Sequence, residues 1–178
     1  CAGLSSFKIF LQTVFILFPH QLLKSIDLLK QTDAVWLVEE ELFFDQYRFH
    51  KQKLAFHRAS MQYYLQFLKE AECKVAYVEA RTSSSKIATL ISKLSGDGVK
   101  SIHAYRLNDD WLERRMTHAA LKHKVDITWH DSPMFLLDHG TMMKEFSGMK
   151  SFFQTSFYIQ QRKRFSILVN DDGSPVEG

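Results

Sequence analysis

The stretch FHKQKLAFHRAS, Phe49 to Ser60, gathers His50, Lys51, Lys53, His57 and Arg58 at what reads as the first turns of a long helix. The amino end of a helix carries partial positive charge, so each cation placed there costs roughly 0.3–1 kcal/mol. The far end, LKEAE, sets Glu70 and Glu72 against the negative terminus, which repeats the mismatch. Two kinds of partner offset such a head. Glu39, Glu40, Glu41 and Asp45 lie just upstream and can form surface ion pairs, each worth about 0–1 kcal/mol. Alternatively, an anionic or polar ligand sits at the head. His57, one or two turns in, reads either as a hydrogen-bonded structural histidine or as a ligand contact.

Other reactive residue types are sparser. His130 beside Asp131 suggests acid–base work, or a solvated turn at a strand end. QQRKRF brings Arg162, Lys163 and Arg164 together, which suits phosphates or simply a solvated helix face. No Gly-x-Gly-x-x-Gly follows the first strand, where PHQLL stands, and Gly96 and Gly98 fall in a turn instead. No P-loop lysine motif and no Gly-x-Ser-x-Gly elbow occurs. Cys1 and Cys73 are the only cysteines, which excludes a disulfide framework and a cysteine set for zinc or an iron–sulfur cluster. Cys1 at the first position reads as the lipid-bearing residue of a processed lipoprotein or, preferably, as an arbitrary chain boundary. Motifs alone make a weak case for an enzyme.

The elements that must position these residues follow from the hydrophobic pattern. The chain has 178 residues, is 46% hydrophobic and carries a formal charge of +3, enough for one sizeable core and permissive of an anionic partner. The scarcity of cysteines points to a reducing cytoplasm, and the longest apolar stretch, FLQTVFILF, is far too short to span a bilayer, so no membrane partner is expected. Strands are predicted over 13–18, 34–40, 74–80, 101–107 and 125–132. Helices are predicted over about 20–30, over 49–70, in SSSKIATLISKL with serine N-caps, and after an Asn108 or Asp109 cap. Alternating strands and helices imply right-handed crossovers and a parallel sheet. The expected fold is α/β: a Rossmann-like five-stranded parallel sheet, order 3-2-1-4-5, with helices on both faces and a helical C-terminal extension. Residues 1–132 make the α/β domain and 133–178 the extension. Ligands of such sheets sit at the carboxyl ends of the strands, beside strand one. Pro19, His20 and Gln21, the segment Glu39 to Phe44, Arg106 to Asp110 and the cationic helix head would share that mouth.

Three blocks extend this reading. VWLVEEELFFDQYRFHKQKLAFHRASMQYY, NDDWLERRM and FFQTSFYIQQRKRFSILVNDDGSPVEG resemble, in order and spacing, the N-terminal half of the deoxyribodipyrimidine photolyase-related proteins. These include the prokaryotic (6-4) photolyases and the iron–sulfur bacterial cryptochromes. The resemblance implies an antenna domain, with a pigment such as 6,7-dimethyl-8-ribityllumazine that passes light energy to a flavin. It places FAD, a 4Fe-4S cluster and most of the surface for damaged DNA in a C-terminal FAD-binding half, the expected partner. No lyase activity is then expected from this chain alone. Carried over by position, the resemblance assigns the pigment pocket to His20, Glu39, Phe43, Gln46, His57 and Arg106. His20, Phe43, Gln46 and His57 depart from the lumazine-binding pattern, which leaves another pigment or an empty pocket open. Two other classes stand beside this one: a Rossmann-like nucleotide-binding domain without light chemistry, and an interaction module docking through the aromatic segment that holds Phe146, Phe152, Phe153, Phe157, Tyr158 and Phe165.

Overall fold

A computed structural model describes residues 11–176; Cys1 lies outside them. Five strands form one parallel sheet: β1 Thr13–Leu17, β2 Ala34–Val38, β3 Val75–Val78, β4 Ser101–Tyr105 and β5 Asp126–His130. The strand order is β3-β2-β1-β4-β5, as the alternating pattern predicts. Register pairs Phe15 with Val35 on one side and with His103 on the other.

β1 and β2 read as continuous apolar runs because both of their faces are covered. Val14, Ile16, Ala34, Trp36, Ile102 and Ala104 turn to one face. There they pack on α3 (Ile87–Gly96) and α4 (Asp110–His123) through Leu90, Leu94, Leu112 and Met116. Phe15, Leu17, Val35, Leu37 and Tyr105 turn to the other. They meet Met61, Tyr64 and Leu68 of the 20-residue helix α2 (Lys51–Glu70). β5, with Asp126 and Thr128 exposed, is a polar edge, which discourages pairing with another chain.

The helix expected over about 20–30 does not form. That segment is a chain of turns ending in a single 3-10 turn, Leu29–Gln31. Gln21 N–H turns back onto the Phe18 carbonyl at 2.9 Å, and Leu22, Leu23, Ile26 and Leu28 lie irregularly on the core. The side chain of Gln21 turns in toward β4, donating to the Tyr105 carbonyl at 3.2 Å.

The serine N-caps expected for α3 are also absent. Ser83–Ser85 forms a 3-10 turn, no side chain of the cap position bonds, and a carboxylate from another element takes the Ile87 N–H instead. Asp109 caps α4 as expected, accepting from Leu112 N–H at 2.9 Å.

The strands end one or two residues earlier than the apolar runs suggest. After β2, Glu39 and Glu40 leave the ladder but stay buried, and the short helix α1 (Glu41–Phe44) follows.

The chain divides into two units at Ser132 and Pro133. In the second, α5 (His139–Phe146) is capped by Asp138 and α6 (Gln154–Arg164) follows. Phe146 meets Phe152 and Phe157 at 5.5 and 5.2 Å, while Phe153 and Tyr158 are exposed. Two of the three cations in QQRKRF are engaged within the unit. Arg164 pairs with Glu145, and the Arg162 guanidinium donates to the carbonyls of Ile167 and Leu168. That favours the structural reading of this run over phosphate binding.

Candidate functional site

The carboxyl end of β2 delivers two fully buried carboxylates, and their hydrogen bonds explain how they survive there. Glu39 Oε1 accepts from Arg58 Nε and from Tyr77 Oη, each at 2.7 Å. Glu39 Oε2 accepts from Ala80 N–H at 2.8 Å and from Arg58 Nη2. Burial alone would push this carboxyl up, but the bonds from Arg58, Ala80 and Tyr77 outweigh it and hold the group below its usual range. Glu40 Oε2 caps α1 at Leu42 N–H, 2.6 Å away, and Oε1 reaches Ile87 N–H at 3.5 Å at the head of α3. Burial here prevails and raises the carboxyl. One strand end thus ties α1, α2, β3 and α3 together.

The carboxyl end of β1 is different. Gln21 is 1% exposed, and its Nε2 donates to the Tyr105 carbonyl at 3.2 Å and toward that of Arg106 at 3.5 Å. Those two carbonyls fix the amide orientation, so Oε1 must point away from them. It is buried without a partner. On the preceding residue, both ring nitrogens of His20 are likewise buried and unpartnered. Trp36 Nε1 is the only further side-chain atom of this kind among the described residues, so three of four fall on this one dipeptide. An unmade hydrogen bond of this sort costs about 1–3 kcal/mol. Burial, followed by the field of His57, pulls the His20 imidazole from 6.5 to about 4, with Asp109 opposing. The ring is therefore neutral near pH 7 and offers one N–H and one bare nitrogen.

Aromatic rings surround it. His20 stacks on Phe18 at 6.3 Å and lies 5.1 Å from Phe43, which in turn lies 6.5 Å from His57. His57 is depressed by burial and then by Lys53. His20, Phe43 and His57 are thus brought together. Glu39 is committed to Arg58, Tyr77 and Ala80. Gln46 Oε1 accepts from Arg115 Nη2 at 2.9 Å, and Arg106 Nη1 reaches Glu113 at 3.4 Å with a third of its side chain exposed. Both sit on elements that flank the mouth, already bound to α4.

Elsewhere, His130 Nε2 meets His103 Nδ1 at 3.1 Å beside the Phe15 ring, a pair that sequence order does not bring to mind. A hollow of about 450 Å³ opens at the amino end of β2 and β3, near Asp33, Cys73 and Lys74. Neither His20 nor His57 lines it. Among the described residues no cluster of three or more His, Cys, Asp or Glu suits a metal ion, and no helix is long and apolar enough to cross a membrane.

The family model for deoxyribodipyrimidine photo-lyase-related protein matches residues 15–178. The chain belongs to this family. An uncharacterized protein of Acanthamoeba polyphaga mimivirus is similar to it, 29% identical over 180 residues that take in 94% of this chain and 90% of the relative.

In this photolyase-related chain, sequence reasoning placed Gln21 at the mouth but gave it no role, and it missed Tyr77 and Glu40 as structural groups. A buried amide leaves no mark in a hydrophobic pattern. Glu40 gave no cap signal either, since glutamate is not among the favoured N-cap residues and α1 is only four residues long.

Proposed function

We propose that this chain is the antenna-pigment domain of a photolyase-related flavoprotein that serves light-dependent DNA repair or blue-light sensing. A pigment of the lumazine class binds at the carboxyl end of β1 and passes excitation energy to a flavin. The observation that carries the reading is the concentration of unpartnered buried atoms on His20 and Gln21, at the switch point between β1 and β4. A lumazine ring presents N–H and carbonyl groups along one edge and a flat face, which suits Gln21 Oε1, the two unpartnered nitrogens of neutral His20, and the rings of Phe43 and His57. Gln46 and Arg106 frame the rim, and Glu39 holds Arg58 and the head of α2 in place.

FAD, the 4Fe-4S cluster and the contacts to damaged DNA belong, on this reading, to a C-terminal FAD-binding half. The chain alone then has no lyase activity.

The test is an absorption and fluorescence titration of the purified chain with 6,7-dimethyl-8-ribityllumazine. A bound-pigment band in the violet that saturates at one per chain, and that is lost in Gln21→Leu, supports the proposal. No bound band overturns it, and tight binding of an adenine nucleotide in its place would favour a plain nucleotide-binding domain.

A further inference from the structure

The unfinished atoms at the end of β1 are shut away from solvent, so a ligand reaches them only if something at the mouth moves. The restraints on each group show what can. α1, which carries Phe43, is tied down at several points. Glu40 caps it at Leu42 N–H, Glu41 pairs with Lys86 at 3.2 Å, and Asp45, directly after it, pairs with Arg81 at 3.1 Å. Gln46 is bound to Arg115, and Gln21 to the Tyr105 carbonyl. The backbone around His20 is fixed as well, because Gln21 N–H closes a turn onto the Phe18 carbonyl over Pro19 and His20. The His20 side chain is the exception. Neither nitrogen has a partner, and packing alone keeps the ring in place.

That packing has the form of a slot. The imidazole lies nearly parallel to Phe18, with 12° between planes and 6.3 Å between centroids, and 5.1 Å from Phe43 at 40°. A flat heteroaromatic group against these two rings is the arrangement a bound ring would adopt, and here the chain supplies it from its own side chain. Turning out about its side-chain bonds, His20 gives up the ring contacts but gains water at both nitrogens. A ring without polar atoms would give up the same contacts and gain nothing.

We propose that the His20 side chain is a gate: its ring occupies the stacking place beside Phe18 and Phe43 that the ligand's ring takes, and it turns out before the ligand enters. The identity of that ligand rests on the pigment reading. While the slot is closed the histidine competes with the ligand, so association is slowed by the fraction of time the slot is open. Once out, the nitrogens face the rim, where water or the ligand's polar edge satisfies them.

The test follows association of 6,7-dimethyl-8-ribityllumazine with the full chain by stopped-flow fluorescence, in the wild type, His20→Ala and His20→Phe. Both substitutions delete the ring nitrogens, but only the first empties the slot. The gate therefore predicts opposite changes: association at least about tenfold faster in His20→Ala, and about tenfold slower in His20→Phe, whose ring has no reason to leave. Circular dichroism checks that the variants fold. His20→Ser, which also empties the slot, serves if His20→Ala does not, and the slowing in His20→Phe is decisive by itself. Faster dissociation in both variants, with association unchanged, makes His20 a ligand contact; that overturns the gate and leaves the pigment reading standing. Rates unchanged in both variants have the same consequence. If none of the three chains binds the pigment, the pigment reading fails and the gate fails with it.

Discussion

Glu39 and His20 sit at the carboxyl ends of adjacent parallel strands, yet their surroundings are opposite. Glu39 is fully buried as a charge and receives four hydrogen bonds from Arg58, Tyr77 and Ala80. His20 is buried through both nitrogens as a neutral ring and receives none. The more expensive group is the better satisfied one. A buried carboxylate without donors would protonate or unfold its neighbourhood, whereas a neutral imidazole can wait for a partner. The comparison separates a structural joint from a place built for something that arrives later.

Removing the joint should have the largest effect. Glu39→Ala strands the Tyr77 hydroxyl and the Ala80 N–H and frees Arg58, and breaking a buried pair by deleting one partner costs about 3–5 kcal/mol. Arg58 is half exposed and can turn to water, so about 3 kcal/mol is expected from urea unfolding. His20→Phe, a change of similar size one strand away, should leave stability at pH 8 unchanged or slightly higher, because it removes two unmet hydrogen-bonding groups. A loss as large as that of Glu39→Ala would mean that His20 has a structural partner after all.

Acid should separate the same two groups by window. The folded His20 value, about 4, lies below the ordinary 6.5, so between these the unfolded chain binds more protons than the folded one. Its contribution is complete above pH 6.5 and is lost as the pH falls through about 4, on the order of 3 kcal/mol in all. Glu39 is also depressed, but from 4.5, so its contribution is present above that pH and disappears only below it. Stability measured from pH 8 to 3 should therefore fall in two stages. His20→Phe should flatten the first stage and leave the second. An unchanged slope between pH 6.5 and 4.5 in that variant would assign the first stage to other histidines, with His57, His103 and His130 each depressed by burial.

The same contrast explains what the sequence could disclose. The strands, their order and the position of α2 are written in apolar spacing, because β1 and β2 must be hydrophobic on both faces and Met61, Tyr64 and Leu68 must share one. The segment after β1 misleads, since Leu22, Leu23 and Ile26 suit a helix in composition but pack on the core from a chain of turns. The resemblance that named His20, Phe43 and His57 did so position by position, and these three do converge. It could not distinguish Glu39, whose oxygens are consumed, from a residue with capacity to spare. Hydrogen-bond status is a property of the assembled neighbourhood, and Tyr77 and Ala80 come from a different strand end.

The smallest effect tests whether the head of α2 carries a standing cost. Lys51 and Lys53 are at the first and third positions of the helix, where a cation opposes the dipole by about 0.3–1 kcal/mol. Lys53 recovers some of that through the Phe49 ring, a contact worth about 0.5–1 kcal/mol at an exposed position. Lys51→Gln should then raise stability by about 0.3–0.5 kcal/mol, while Lys53→Gln should change it by less than about 0.3 kcal/mol. Both values call for denaturant titrations at low salt, where screening does not hide them. Were both lysines to prove stabilising, the head would be compensated inside the chain. If Lys51 is costly and Lys53 neutral, the helix retains an unfavourable charge that its own acids do not relieve, at the rim of the one strand end whose hydrogen bonds are unfinished.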